Sequence, residues 1–230
     1  MTVCAVIQPS YVPWRGYFDQ ILRSDIFVFY DDVQFDRHGW RNRNRVKTST
    51  GSTWLTVPVR SKGHLERALL INEVEIAFET NWHRSHLTTL HQSYRRAPFF
   101  NQYIDLLERH LSAPPARLSE LTIPLTIDIA RELGASCEFV TSSTLSVDGT
   151  GLAKLISTLQ RVGANHYLSG PSAAAYIEPS EFARAGISLE YVKYNYQEYP
   201  QLHPPFDGQV SIVDLLFMLG ENARSAFAEA

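Results

Sequence analysis

The chain has 230 residues and a mass of 26.1 kDa, which is long enough to bury a large core without a stabilising disulfide or metal. Its formal net charge is −3, from 21 basic and 24 acidic residues, so nucleic acid would have to be held by a local basic patch such as the one from Arg37 to Lys47, and we expect no nucleic-acid partner. Cys4 and Cys137 lie on separate apolar runs, which argues against both a disulfide framework and a zinc site. We therefore expect no structural metal.

Membrane insertion is also excluded by the composition. No run approaches the roughly 20 apolar residues that span a bilayer, and the N-terminus lacks the basic start and apolar run of a secretion signal. We expect a cytoplasmic protein with no membrane span. The sequence does not decide the oligomeric state, and a homodimer is left open.

The first elements are a strand, a helix and a second strand. The run TVCAVIQ predicts a buried strand, and Tyr17, Phe18, Ile21 and Leu22 then follow a helical spacing. The run DIFVFYDD predicts a second strand that ends in two carboxylates. The segment after it, DRHGWRNRNRVK, has the composition of a basic loop.

The middle of the chain mixes strand and helix patterns. STWLTVPV and LLINEVEI predict two strands, because both are rich in β-branched or apolar residues. From Asn81 to Leu111 the pattern is helical, with a break at Pro98. SELTIPLTIDIARELG then predicts a long helix that ends at Gly134.

The second half alternates strands and helices. CEFV, NHYL and the end of EFARAGISLEYVKYNY predict strands, GLAKLISTLQRVG predicts an amphipathic helix, and VSIVDLLFMLG predicts a closing helix. This alternation predicts βαβ units and a parallel sheet. The expected fold is α/β: a Rossmann-like three-layer domain with a mainly parallel sheet. We expect one domain over 1–230, with a mixed strand-helix insertion at 54–111.

Polar clusters follow four of the predicted strands, at 8–11, 31–34, 142–144 and 169–172. In open parallel sheets, ligands bind outside the carboxyl ends of the strands. We therefore expect the segments after the first and second strands and the Ser-Gly-Pro-Ser turn at 169–172 to line one pocket. That turn is either a tight turn with a serine cap or an anion site of backbone N–H groups, and the two uses are compatible.

The carboxylates after the second strand are the candidate proton acceptors. Adjacent residues of a strand point to opposite sides, so only one of Asp31 and Asp32 should face a given pocket. Either could act as a general base, although a solvated strand end is the alternative. We predict Asp31, Asp32 and Gln8 as catalytic residues.

The basic loop and nearby aromatic residues predict substrate binding. Forked arginine donors beside a tryptophan suit a phosphate or carboxylate, although a solvated basic loop has the same composition. Trp14 and Tyr17 could stack on a base or sugar ring, or belong to the core. His83 and His86 are three residues apart on a predicted helix, but no third metal ligand has suitable spacing. The predicted substrate-binding residues are Ser10, Tyr11, Trp14, Tyr17, Gln34, Trp40, Arg41, Arg43, Asn44, Lys47, His83, Ser169, Gly170 and Ser172.

Four stretches of the sequence resemble the WbqC-like family of bacteria. They are IQPSYVPWRGYFDQI, FYDDVQFDRHGWRNRNRVK, YLSGPSAAAYI and VSIVDLLF, and the likeness runs from about residue 4 to residue 220. The resemblance implies a setting in O-antigen and other surface-polysaccharide gene clusters, with modification of sugars or small amines. The residues that match the family motifs are Gln8, Pro9, Tyr11, Pro13, Trp14, Gly16, Tyr17, Asp31, Asp32, Gln34, Trp40, Arg43, Asn44, Lys47, Ser169, Gly170 and Asp214.

The opening strand, turn, helix and strand are also similar to those of HIGH-type nucleotidylyltransferases and ligases such as pantothenate synthetase. In that superfamily, two motif histidines stabilise adenylyl transfer. The comparable segment here is Trp14-Arg15-Gly16-Tyr17, which has neither histidine and therefore argues against adenylation.

With the setting that the family resemblance implies, these patterns predict a group-transfer enzyme of polysaccharide, glycoconjugate or related small-molecule biosynthesis. We expect it to transfer an acyl or aminoacyl group to an amino (nucleotide-)sugar or a similar small-molecule amine. No tightly bound cofactor is predicted; the co-substrate would be a nucleotide sugar or a phosphopantetheine thioester, carried by CoA or by an acyl carrier protein. The alternatives are a noncatalytic ligand-binding or partner protein of the same pathway and a metal-independent glycosyl- or nucleotidyl-transferase.

Overall fold

A computed structural model of the protein describes residues 1–175 and 177–227; Tyr176, which belongs to the motif YLSGPSAAAYI, lies outside the described residues. The described strands are β1 (Val3–Ile7), β2 (Ile26–Phe29), β3 (Arg43–Thr48), β4 (Gly51–Thr56), β5 (Glu138–Thr141), β6 (His166–Ser169) and β7 (Ser188–Tyr191). The described α-helices are α1 (Arg15–Leu22), α2 (Trp82–Tyr94), α3 (Phe100–Leu111), α4 (Leu118–Glu132), α5 (Gly151–Arg161), α6 (Pro179–Arg184) and α7 (Ile212–Leu219). Short 3₁₀ helices occur at Ile71–Glu73, Ser142–Thr144, Pro171–Ala175 and Gly220–Phe227.

The main sheet has five strands in the order β5-β2-β1-β6-β7, and every pairing in it is parallel. The predicted parallel sheet is therefore confirmed. Strands β3 and β4 form a separate antiparallel hairpin. From β1 the chain first builds one side of the sheet through β2 and β5, and then the other side through β6 and β7.

Helices cover both faces of the sheet, as the alternation of buried side chains along β1 and β2 shows. Ala5 and Phe27 belong to a large core that includes the apolar faces of α1 and α4, whereas Cys4 and Val28 belong to a second core with residues of α5 and α6. Successive strand residues point to opposite faces, so the two cores lie on opposite sides of the sheet. The predicted three-layer α/β fold is confirmed.

Two predictions for the middle of the chain are wrong. LLINEVEI forms no regular strand; it contains the 3₁₀ helix Ile71–Glu73 and isolated bridges at Leu70, Glu75 and Ile76. The second half of the predicted basic loop is strand β3, whose buried positions include polar side chains. Propensity failed in both segments because tertiary contacts determine their backbone conformation.

The segment 54–111 contains the end of β4, the helices α2 and α3 and the break between them. Its buried side chains, such as Leu55, Leu90 and Leu107, belong to the same core cluster as residues of β1 and β2. In the described part of the chain, no helix has the length and apolar character needed to cross a membrane.

Candidate functional site

A cleft of about 740 Å³ lies beside the carboxyl ends of β1 and β6. These two strands are neighbours at the centre of the sheet, and the chain leaves them toward opposite edges. The cleft therefore occupies the topological switch point, where loops diverge and open α/β sheets bind their ligands. Its volume suits a ligand of the size of a nucleotide or a drug-like molecule.

Three segments form the polar part of the cleft wall. Gln8 and Ser10 follow β1, Ser169 ends β6 and Gly170 follows it, and Ser172 lies on the 3₁₀ helix Pro171–Ala175. The first residues of α5 also contribute, through Gly151 and Leu152. The structure thus brings together the predicted residues after β1 and the Ser-Gly-Pro-Ser turn.

Aromatic rings form much of the remaining wall. Trp14 packs edge-on against Tyr194, with ring centroids 4.9 Å apart. The indole of Trp14 also covers Gly16, where a Cβ atom would lie 2.3 Å from a ring carbon, so this arrangement needs glycine. The aromatic residues that line the cleft are Trp14, Tyr17, Tyr30, Trp40, Tyr167 and Tyr194. Such rings supply stacking surfaces for sugars and bases.

Arg41 is the one charged side chain among the described residues that line the cleft. Its Nη1 atom donates hydrogen bonds to the carbonyls of Gln8, at 2.9 Å, and of Pro9, at 3.5 Å. Burial lowers the pKa of Arg41 from its ordinary value, while Tyr17 and Asp36 act against that shift. The guanidinium is therefore held at the β1 exit, where it can neutralise an anion.

Asn44 also lines the cleft and is buried. Its side-chain amide donates to the Val12 carbonyl at 2.8 Å, and its oxygen accepts from the Arg45 backbone N–H at 2.8 Å. Asn44 thereby joins β3 to the loop that follows β1. Its contacts fix the shape of the cleft wall.

The two predicted carboxylates do not line the cleft. Asp31 is buried, and its oxygens accept hydrogen bonds from the Ser142 hydroxyl at 3.1 Å and from the Ser143 N–H and hydroxyl at 3.0 and 2.9 Å. These bonds tie the end of β2 to the end of β5. Tyr30 is the residue of this exit that reaches the cleft. The expectation that the carboxylates would share the pocket of Gln8 and Ser169 is not met.

Asp32 forms an ion pair with Lys154 of α5, with 2.7 Å between Oδ2 and Nζ. Lys154 also donates to the Asp32 backbone carbonyl at 3.0 Å, and the Ser142 hydroxyl bonds to Asp32 Oδ1. The Lys154 side chain is 10% exposed and that of Asp32 is 15% exposed. The pair therefore fastens α5 to the β2 exit.

Two basic residues of the predicted anion site lie away from the cleft wall. Lys47 is buried, and its ammonium group donates to the Pro205 carbonyl. Arg43 donates to the His38 carbonyl at 2.8 Å and stacks on the ring of Trp54. Asn44 lines the cleft, and the alternating direction of β3 side chains turns Arg43 and Lys47 to the other face of the strand.

Three other predicted residues also lie outside the cleft wall. Tyr11 is fully buried, with its hydroxyl 2.9 Å from Nδ1 of His86. Burial lowers the pKa of His86 to about 4. Nδ1 of His83 lies 3.0 Å from the Leu111 carbonyl, and Gln34 is exposed and forms a bridge with Leu70.

Asp214, a family-motif position, is a buried structural carboxylate. It accepts hydrogen bonds from the hydroxyls of Tyr94 and Tyr199, each at 2.8 Å, and from the Gln201 amide at 2.9 Å. Desolvation by burial raises its pKa, and these hydrogen bonds and Lys47 act against that shift. The cluster joins α7 to α2 and β3.

Sequence reasoning missed several residues of this region. Gln20 and Tyr194 line the cleft, and the Gln20 amide donates to the Tyr194 hydroxyl at 2.7 Å. Tyr30 also lines it, and burial together with Asp32 raises its pKa to about 12. Lys154 resembled an ordinary solvent-facing lysine. The residues around it in α5 carry no sequence signal of its carboxylate partner Asp32, which follows β2.

The fold and the cleft define a three-layer α/β protein with a cleft at the switch point of a parallel sheet. The chain belongs to the WbqC-like protein family, whose family model matches residues 8–226. It is 36% identical over 225 residues to a protein of Mycobacterium tuberculosis described as "Uncharacterized protein Rv1507c", a match that covers 97% of this chain and 96% of that protein. No solved structure matches the chain.

Proposed function

We propose that this protein is a transferase that moves an acyl or aminoacyl group from a thioester to the amine of an amino (nucleotide-)sugar or similar small molecule. The observation that carries the proposal is the switch-point cleft, which combines aromatic walls with one arginine and a serine-glycine turn. Rings of a sugar or base would stack on Trp14, Tyr194 or Trp40. A phosphate would lie between Arg41 and the turn at 169–172.

The proposed reaction needs little more than positioning and charge stabilisation. The amine nitrogen attacks the thioester carbon, a C–N bond forms, the C–S bond breaks, and the proton released by nitrogen ends on the leaving sulfur. The tetrahedral intermediate carries negative charge on its oxygen, which Arg41 beside the Gln8 carbonyl would stabilise. Gln8 and Ser10 would orient the amine by hydrogen bonding. The polysaccharide setting implied by the family resemblance provides amino sugars as acceptors.

A noncatalytic ligand-binding protein is the second candidate, and one observation favours it. Among the described residues that line the cleft, none is an aspartate, glutamate, histidine or cysteine. Those are the usual proton acceptors and nucleophiles at neutral pH. The two candidates share the same ligand site and differ in turnover.

The test combines binding and turnover on a pair of variants. Ser172 and Ala174 are exposed residues of the same 3₁₀ turn, and only Ser172 lines the cleft. Ser172→Trp should fill the cleft and abolish calorimetric binding of a UDP-linked amino sugar and of CoA, whereas Ala174→Trp should leave binding unchanged. Both variants should melt near the wild-type temperature, because exposed positions tolerate substitution.

Turnover is measured with the same amino sugar and an acetyl or glycyl CoA thioester, by mass detection of the amide. Amide formation that Ser172→Trp abolishes and Ala174→Trp retains would support the transferase. Binding without amide formation across the thioesters tested would favour the noncatalytic candidate. Equal binding in both tryptophan variants would remove the cleft from either function.

A further inference from the structure

Two tryptophans lie side by side on the surface of the β3–β4 region. Trp40 is 43% exposed and Trp54 is 45% exposed, and their ring centroids are 5.3 Å apart. Scattered exposed apolar residues are normal, but contiguous exposed apolar area on a folded protein commonly marks an interaction site. The paired rings therefore identify a candidate contact surface.

Arginines extend this surface. The guanidinium carbon of Arg43 lies 4.6 Å from the centroid of the Trp54 ring, and that of Arg45 lies 5.9 Å from it. Arg45 also approaches Asp207, at 3.8 Å between Nη2 and Oδ1. Tryptophan and arginine are the residue types most enriched at the centres of protein interfaces. We name Trp40, Trp54, Arg43 and Arg45 the Trp-Arg surface.

The Trp-Arg surface is continuous with the cleft. Trp40 belongs to both, and Gln209 lines the cleft while its backbone carbonyl accepts a hydrogen bond from Arg45 at 3.0 Å. A partner bound to this surface would therefore stand at the edge of the ligand site. This placement favours a partner that delivers a substrate over one that acts elsewhere.

The positive charge of the Trp-Arg surface favours an acidic partner over a second copy of the chain. Of the five basic residues between 37 and 47, Arg43 and Arg45 belong to the Trp-Arg surface, whereas Arg41 lines the cleft and Lys47 is buried. The segment has no acidic residue, in a chain of net charge −3. A two-fold symmetric contact through this surface would bring its arginines together, which is unfavourable. An acidic surface on a different protein would complement it.

Nucleic acid fits less well, because few of these cations are free to bind phosphates. Lys47 is buried on the Pro205 carbonyl, Arg41 lies in the cleft, and Arg45 approaches Asp207. Tight nucleic-acid binding at physiological salt needs several phosphate contacts. A compact acidic patch on a protein needs only a few arginines and an apolar centre.

We infer that the Trp-Arg surface docks an acidic acyl carrier protein, which presents its phosphopantetheine thioester to the cleft. This inference rests on the proposed transfer function and names the form of its donor. The flexible arm would pass Trp40 and Gln209 on its way from the docked carrier to the β1 exit. Docking by the carrier and chemistry in the cleft would then share Trp40 and otherwise involve separate residues.

Binding is measured first, because it does not depend on turnover. A fluorescently labelled acyl carrier protein with its phosphopantetheine arm is titrated with the wild type and followed by anisotropy at about 0.15 M salt. Arg43→Glu should weaken the complex about tenfold or more, because it places a like charge opposite the acidic partner. Arg96→Glu is the control, since it makes the same charge change at an exposed position on the turn between α2 and α3.

Turnover is then compared between two donors of the same acetyl group, the acetylated carrier and acetyl-pantetheine. Arg43→Glu should lower kcat/KM about tenfold with the carrier and less than about twofold with acetyl-pantetheine. Arg43-dependent carrier binding without turnover from either donor would sink the transfer function and leave the docking surface intact.

Three results would overturn the docking surface. The first is no anisotropy change when the carrier is titrated with the wild type. The second is an equal loss of carrier affinity in Arg43→Glu and Arg96→Glu. The third is displacement of the labelled carrier by a short oligonucleotide at a lower concentration than by unlabelled carrier. A fall in kcat/KM of the same size with both donors would place Arg43 in the cleft chemistry instead.

Discussion

The exits of β2 and β5 differ from those of β1 and β6, although all four strands end in polar residues at the same edge of one sheet. After β2 and β5, the carboxylate of Asp31 is saturated by Ser142 and Ser143, and Asp32 is paired with Lys154. After β1 and β6, Gln8 and Ser169 face a cleft of about 740 Å³.

The difference shows that a polar strand end does not by itself make a site. Polar groups that satisfy one another hold neighbouring elements together, whereas polar groups on an open wall remain available to a ligand. Substitutions at the first pair of exits should therefore change stability. Substitutions at the second pair should change binding.

Removing Asp32 should give the largest effect. Asp32→Ala leaves Lys154 buried with no carboxylate partner, so we expect the free energy of unfolding to fall by about 3 kcal/mol. Urea denaturation measures the change. Asp148→Ala, an exposed aspartate on the loop before α5, should stay within about 0.5 kcal/mol of the wild type. Similar stability in the two variants would mean that the ion pair between Asp32 and Lys154 does not stabilise the fold.

A pH titration of stability sharpens the comparison at Tyr11, a buried residue of the β1 exit whose hydroxyl contacts His86. Because burial lowers the pKa of His86 from 6.5 to about 4, the unfolded chain binds a proton more readily than the folded one. The stability that the folded protein gains by keeping His86 neutral is therefore fully present above pH 6.5, and it is lost as the pH falls toward 4.

The loss attributable to His86 should reach about 2 kcal/mol between pH 7.5 and pH 5. His86→Gln retains hydrogen-bonding capacity and removes the titration, so the wild type should lose about that much more stability than this variant over the same range. Parallel stability curves for the two proteins would show that His86 is protonated in the folded state as readily as in the unfolded chain.

The smallest effect belongs to the aromatic wall. Trp40→Ala should weaken binding of the UDP-linked amino sugar by about 1 kcal/mol, roughly fivefold, because one stacking face is lost. Trp54 is equally exposed but does not line the cleft, and Trp54→Ala should change that affinity by less than about twofold. Calorimetry on the two variants measures these affinities. Equal losses of affinity would mean that the ligand also contacts Trp54 on the β3–β4 hairpin.

The fold could be predicted from the sequence because its strands and helices carry strong apolar periodicity. The runs CAVI and IFVF bury alternate residues on two faces, and the spacing of the second half requires crossover connections. Strand β3 was missed because RNRNRVKT has almost no apolar signal. Its Asn44 and Lys47 are buried on the carbonyls of Val12 and Pro205, which are distant in sequence.

The candidate site could be predicted only in part for the same physical reason. The position of the β1 and β6 exits follows from the rule that ligands bind at the carboxyl ends of parallel strands. Whether a polar residue there is free depends on partners such as Ser142, which lies 111 residues from Asp31. No local pattern reports such a contact, and Lys154 in an amphipathic helix looks like any solvated lysine.

The hydrogen bonds from Arg41 to the Gln8 and Pro9 carbonyls have a consequence for the entropy of ligand binding. A flexible arginine loses up to about 2 kcal/mol of rotamer freedom when it is ordered. Arg41 loses that freedom when the chain folds, before any anion arrives. An anionic group that binds in the cleft would therefore meet a charge that is already oriented, and its affinity would not be reduced by the ordering of this side chain.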